Sequence, residues 1–172
     1  MDEQKNRREQ VLAMIANSTS PLSATKIATT LGVSRQIIVG DVALLRAEGH
    51  MIIATARGYI MEIKTNEQMY RRKIACIHLP FETADELYLL VDHGLTVVDV
   101  IVDHSVYGEL TGSLNLKTRI DVDNFIKRLE ASDVKLLSVL TGGVHLHTVT
   151  CENEETFTQA MTAMKAAGFL LE

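Results

Sequence analysis

The stretch Ser23-Ala24-Thr25-Lys26-Ile27-Ala28-Thr29-Thr30-Leu31-Gly32-Val33-Ser34-Arg35-Gln36 decides how the N-terminal part of the chain folds. Ser23 is a helix N-cap residue, and the helix it opens, 24–31, brings Ile27, Ala28 and Leu31 onto one face. Gly32 stands where a tight turn between helices takes a left-handed residue. Val33 re-enters the core, and Ser34 caps a third helix running to about residue 48. Its expected apolar stripe is Ile37, Ile38, Val42, Leu44 and Leu45. Helix, turn and helix in this order form the helix-turn-helix pattern.

Working outward, Val11, Leu12, Ile15 and Ala16 recur at helical spacing and predict a first helix over 4–17. On the other side, Met51-Ile52-Ile53 and Tyr59-Ile60-Met61 are two β runs joined through Arg57-Gly58, a hairpin with a cation at its tip. Three helices and such a hairpin make a winged helix-turn-helix. In that fold Ser34, Arg35 and Gln36 face base edges in the major groove, and Arg57 on the wing reaches a phosphate or the minor groove. Double-stranded operator DNA is therefore the expected partner. The charge agrees: residues 1–64 carry eight Lys/Arg against six acids, net +2, whereas 65–172 carry nine against sixteen, net −7.

The polar stretch Lys64-Thr65-Asn66-Glu67 is the expected boundary, dividing the chain into domains 1–64 and 65–172. Beyond it, strands are expected at 71–79, 97–102, 111–116 and 144–151, and helices at 84–93, 122–131 and 155–167. Residues 169–171 read as an edge strand. Alternating strands and helices of this kind predict an α+β fold, here an α/β sandwich with helices on one face of a mostly antiparallel sheet. With 47% apolar residues the chain can build a core in each part. Its apolar runs are too short to span a bilayer, and Met1-Asp2-Glu3-Gln4-Lys5 leads into no signal core, so a cytoplasmic protein with no membrane contact is expected. Cys76 and Cys151 are too few for a disulfide framework and read as buried free thiols.

Chemistry concentrates in Thr141-Gly142-Gly143-Val144-His145-Leu146-His147-Thr148. Two histidines at i and i+2 of a strand project to the same face, half of a divalent-metal site. His78 ends the expected strand 71–79 just before Pro80, and Glu86 lies in the helix after Thr83, so the two can converge. His145 and His147 join them if strand 144–151 pairs beside strand 71–79. Three imidazoles and a carboxylate suit zinc, nickel, cobalt, iron or manganese, and disfavour calcium and magnesium. Affinity order alone favours copper, then nickel or zinc. Cys76 shares a strand face with His78, and Cys151 with His147, but no Cys-x-x-Cys spacing supports a thiolate ligand.

The segments Leu22-Ser23-Ala24-Thr25-Lys26-Ile27-Ala28 through Arg57-Gly58-Tyr59 resemble the winged helix of biotin-repressor-type regulators. Ile77-His78-Leu79-Pro80, Glu86-Leu87, Asp103-His104-Ser105-Val106-Tyr107-Gly108-Glu109 and the Gly-Gly-Val-His-Leu-His run resemble the signature segments of the three-histidine (3H) domain. Ser105 stands where that pattern carries proline. The combined layout, over essentially all of 6–172, resembles the niacin-responsive transcriptional repressors. That resemblance implies His78, Glu86, His145 and His147 as ligands of nickel or zinc. It also implies nicotinic acid as co-repressor, target genes for niacin uptake and NAD biosynthesis, and a homodimer on a palindromic operator.

His104, Tyr107 and Glu109, expected in a polar loop, are candidates for the effector pocket, together with Arg119, whose guanidinium can grip a ligand carboxylate in bidentate fashion. No catalytic residue is assigned and no enzyme is expected, because the chain has no His-Glu-x-x-His helix, nucleophile elbow or Walker-type loop. The alternative is a metal-sensing repressor, in which the ion itself is the signal.

Overall fold

The computed structural model describes residues 2–62 and 69–172. The expected boundary Lys64-Thr65-Asn66-Glu67 lies outside the described residues. The chain divides into two compact units, Met1–Lys64 and Thr65–Glu172.

The first unit runs α1 (Asp2–Ala16), α2 (Ala24–Leu31), α3 (Arg35–Ala47), β1 (Ile52–Thr55) and β2 (Gly58–Met61). Both caps form: the Ser23 hydroxyl accepts from the Lys26 amide at 3.1 Å, and Ser34 from the Ile37 amide at 3.3 Å. Gly32 closes α2 in the left-handed region, and the chain turns by 107° into α3, within the range of helix-turn-helix units. β1 and β2 pair antiparallel, Ile52 opposite Met61 and Thr55 opposite Gly58. Val11, Ile15, Ile27, Ile38, Val42, Leu45 and Ile52 form the core. The apolar stripe expected on α3 is wider than the one observed. Ile37 and Leu44 are 41% and 50% exposed, because they flank the row Ile38, Val42, Leu45 that points inward. Among the described residues, no single helix is long and apolar enough to cross a membrane.

The second unit runs β3 (Tyr70–Ile77), α4 (Thr83–Asp92), β4 (Thr96–His104), β5 (Gly108–Leu116), α5 (Arg119–Glu130), β6 (Val144–Cys151) and α6 (Glu154–Ala166). Short 3₁₀ turns at Pro80–Glu82 and Leu137–Thr141 precede α4 and β6. The sheet order is β3-β6-β4-β5, and every pairing is antiparallel. The last strand of the sequence thus lies inside the sheet, so β6 exchanges hydrogen bonds with β3 and β4 together. α4 packs on β4 and touches both α5 and α6, over a core that includes Leu87, Leu90, Leu95, Val97, Leu116 and Met164. The expected edge strand 169–171 is reduced to one bridge, Leu170 opposite Cys76, flanked by Ile77 N donating to Phe169 O and Leu171 N to Ala75 O. This short pairing covers the outer edge of β3, which would otherwise present unpaired backbone groups.

β4 and β5 extend further than their sequence pattern suggests. They continue to a tight turn at 105–107, so His104 and Glu109 end paired strands instead of lying in a loop.

Candidate metal centre and nucleic-acid interface

Antiparallel register brings the histidines together. Cys76 lies opposite His145 and Ile74 opposite His147, on neighbouring strands. His78 follows the end of β3, and Glu86 sits one turn into α4, its carboxylate directed at the three rings. His78 Nε2 is 2.7 Å from Glu86 Oε2, His147 Nε2 is 3.3 Å from the same oxygen, and His145 Nε2 is 3.1 Å from Oε1. All four residues are buried, Glu86 to 1% exposure. The rings of His78 and His145, and of His145 and His147, meet edge to face with centroids 4.8 Å apart.

The opposite ring nitrogens decide what this cluster can hold. His78 Nδ1 lies 2.8 Å from Leu79 O, His145 Nδ1 2.8 Å from Gly143 O, and His147 Nδ1 2.7 Å from Asp99 O. Carbonyl oxygens only accept, so each Nδ1 carries the proton and each Nε2 faces the carboxylate. An imidazole so placed either takes a second proton or holds a bare lone pair against a negative charge. A cation among the three Nε2 atoms and Glu86 resolves the conflict for all of them at once. Backbone-anchored imidazoles with a nearby carboxylate are the donor set of a transition-metal site. The residues present therefore fit the group.

The electrostatics follow the same geometry. Burial pushes the Glu86 carboxyl upward, but the adjacent His147 charge and hydrogen bonds from the three imidazoles reverse this and hold it well below its usual range. Burial lowers the basicity of His78 and His147, and Glu86 more than restores it, so both are raised.

Backbone details aim the donors. Gly143 has φ +98°, and a Cβ there would lie 2.6 Å from His78 O. Only glycine permits the close approach of the β6 entry to the His78 backbone. The pairing of β4 shifts register around Val97, Asp99 and Ile101. There the Asp99 carbonyl accepts from His147, and its carboxylate accepts from Thr148 N at 2.8 Å. Such an irregularity re-aims backbone groups beside a site.

Cys76 is a donor that spacing alone does not favour. Its Sγ, a Glu86 oxygen and a His145 nitrogen all lie within 4.8 Å of one another. Burial, then the Glu86 charge, pushes its thiol pKa up. The sequence signal was the shared strand face of Cys76 and His78.

A small cavity with an open mouth adjoins the four residues. Val100, Leu114, Phe125, Leu136 and Leu137 give it an apolar wall, and Thr83 and Ser138 add hydroxyls. The wall residues carried no signal in the sequence. Neither His104, Tyr107, Glu109 nor Arg119 lines this cavity. His104 Nδ1 accepts from the amides of Val106 and Tyr107 at 3.1 and 3.2 Å, closing the β4–β5 turn, and Tyr107 is 76% exposed. Arg119 does make a bidentate pair, but with Asp92 at the end of α4, both contacts being 2.7 Å. It also stacks over the Tyr88 ring at 4.5 Å. It is not brought to Glu86, the carboxylate of the cluster.

In the first unit, Arg35 and Gln36 are exposed at the start of α3, while the Ser34 hydroxyl caps it. Arg57 stands in the β1–β2 turn, its amide donating to Thr55 Oγ1 at 3.1 Å.

Residues 7–60 match the HTH domain family and residues 71–172 the 3H domain family. The chain is 44% identical over 169 residues to the transcription repressor NadR of Bacillus subtilis (strain 168), covering 97% of this chain and 94% of that protein. It is 38% identical over 168 residues to the probable transcription repressor NiaR of Thermotoga maritima, covering 98% and 95%.

Proposed function

Because the chain belongs to the family of transcription repressors that join an HTH domain to a 3H domain, we propose that its repression answers nicotinic acid through a metal held in the second domain. Its relatives are repressors carrying a DNA-binding domain, and the chain is a repressor of that kind, not an enzyme. In this reading residues 1–64 bind DNA through Ser34, Arg35, Gln36 and Arg57. Residues 65–172 form the regulatory domain, in which His78, Glu86, His145 and His147 hold nickel or zinc. The regulated genes serve niacin uptake and NAD biosynthesis, and the working form is a cytoplasmic homodimer on a palindromic operator.

One observation carries this reading: three imidazoles with their Nδ1 atoms hydrogen-bonded to backbone, converging on one buried carboxylate beside an apolar cavity. When bound, the ion supplies an electrophilic centre that can accept a carboxylate or a ring nitrogen. The chain's own residues do the rest. Glu86 balances charge, and Leu79, Gly143 and Asp99 carbonyls fix the ring orientations. Val100, Leu114, Phe125 and Leu137 supply an apolar wall against which a flat ring can pack. An effector in this cavity contacts α4, α5 and β6 together, so it can bias the domain between two arrangements.

The test is a DNA-binding titration with nicotinic acid, nicotinamide and NAD, run on metal-loaded and chelator-treated protein. Nicotinic acid should tighten binding to a duplex selected by this chain, and only with metal present. Binding that follows metal concentration with no response to any of the three would establish the ion itself as signal and overturn the proposal.

A further inference from the structure

Two hydroxyls line the cavity beside the metal centre, and they differ in what they can still offer. Thr83 Oγ1 donates to Pro80 O at 2.8 Å, where the chain turns into α4, so its hydrogen is already used. Ser138 is 7% exposed, and its hydroxyl makes no hydrogen bond within the described residues. Its backbone, by contrast, is pinned: the Ser138 carbonyl accepts from Gly143 N at 2.8 Å and from Thr141 Oγ1 at 3.2 Å.

Among the described residues, every side-chain oxygen or nitrogen sealed from solvent has a partner. An oxygen without one therefore opens onto space, and the space that Ser138 lines is the cavity. A hydroxyl left unpaired beside apolar side chains is a loss relative to alanine, which is nearly the same size. The fold makes no use of this hydrogen, and a ligand can.

The rest of the lining says which kind of ligand. No Lys or Arg stands among the described residues around the cavity, and the charged or titratable ones are the four of the metal centre. A ligand anion thus finds its countercharge at the metal-binding end. A neutral acceptor elsewhere on the same ligand meets apolar wall, except at Ser138.

We propose that the Ser138 hydroxyl donates a hydrogen bond to the ring nitrogen of a bound pyridine carboxylate, whose carboxylate lies at the metal-binding end. The inference rests on the cavity being the nicotinic acid site proposed above, and it goes further by fixing which way the ring points. Ser138 is then the residue that tells a pyridine ring from a benzene ring of the same outline. The ligand also joins the turn Leu137–Thr141 to the metal centre, two parts of the domain that the serine side chain otherwise leaves unconnected.

The experiment titrates nickel-loaded, full-length protein with nicotinic acid and with benzoic acid, which differ in the ring nitrogen alone, and reads affinity by calorimetry. The wild-type chain should bind nicotinic acid about fivefold tighter or more, the worth of one hydrogen bond. Ser138→Ala should lose this preference by weakening nicotinic acid, with benzoic acid changed less than about twofold. Its melting temperature without either acid should not fall, because the hydroxyl has no partner in the fold. Equal weakening of both acids would mark Ser138 as merely structural and overturn the proposal. So would a wild-type chain without the preference, or a Ser138→Ala protein that keeps it. Each of these leaves the nicotinic acid reading standing, since the acid still binds the loaded wild-type chain. No binding of nicotinic acid to that chain would overturn both.

Discussion

Among the described residues each unit holds one acid below 5% exposure, and these two acids are held in opposite ways. Asp41 on α3 is 4% exposed and is gripped by Arg7 of α1 through contacts of 2.6 and 3.1 Å. Glu86 on α4 is 1% exposed and is surrounded by His78, His145 and His147. A guanidinium carries its charge at every pH a cell meets, so the Asp41 pair is a fixed clasp between two helices. Imidazoles gain and lose protons near neutrality, so the cluster at Glu86 has no fixed charge of its own. A buried acid with a permanent cation is architecture. A buried acid ringed by titratable donors is a place where one cation can replace others.

The strongest way to break this contrast is Glu86→Gln. The amide keeps the volume of the side chain and removes the negative charge that all three rings contact. Metal affinity should fall more than about 100-fold, beyond what losses of outer-sphere partners produce. A competition titration against a chromogenic chelator measures it, and near-normal affinity would show that the ion is not held at this carboxylate. The counterpart in the first unit is Asp41→Ala. It should lower the stability of that unit by about 1.5–3 kcal/mol, the usual worth of hydrogen bonds to a charged group, and leave metal affinity unchanged. Denaturant unfolding followed with the same chelator titration tests both parts. A variant that loses metal as well would show that the two acids do not belong to separate units.

The contrast also explains what was legible in the sequence. α2 and α3 are announced by local chemistry: Ser23 and Ser34 cap their own helices, and Gly32 ends the first. β6 is equally clear, bracketed by Gly142-Gly143 and by Asn153, the cap of α6. Spacing singles out His78, Glu86, His145 and His147, because a His-x-His pair on one strand, a His two residues before Pro80 and a Glu early in the helix that follows are local facts. That they meet around one centre depends on β6 pairing with β3, and pairing between strands some seventy residues apart leaves no mark in either segment. The cavity wall was hidden for a related reason. Leu136, Leu137 and Ser138 lie at a 3₁₀ turn with no helical or strand period, and Phe125 is one apolar position on a helix with several. At His104 and Glu109, by contrast, polar residues suggested a loop, but cross-strand pairing continues through them to the turn. Composition was overruled there by tertiary pairing.

The smallest expected effect gives the sharpest reading of how the two acids differ. Glu86 raises the basicity of His78 and His147 against the lowering caused by burial. Without metal, those rings keep protons to a higher pH than a free imidazole, whose value is about 6.5. An incoming ion must displace them, so apparent metal affinity should rise with pH up to the raised values and level off above them. Below that point each displaced proton changes affinity about tenfold per pH unit. Calorimetric titration with zinc in buffers of different ionisation enthalpy, between about pH 6 and 8, counts the protons released. Release near one or more at neutral pH, shrinking as pH rises, is expected. No release at any pH would mean that the rings stand neutral before the ion arrives, and that Glu86 is balanced by something other than their protons. In Asp41→Ala the same proton count should be unchanged, since the Arg7 clasp has no proton to give.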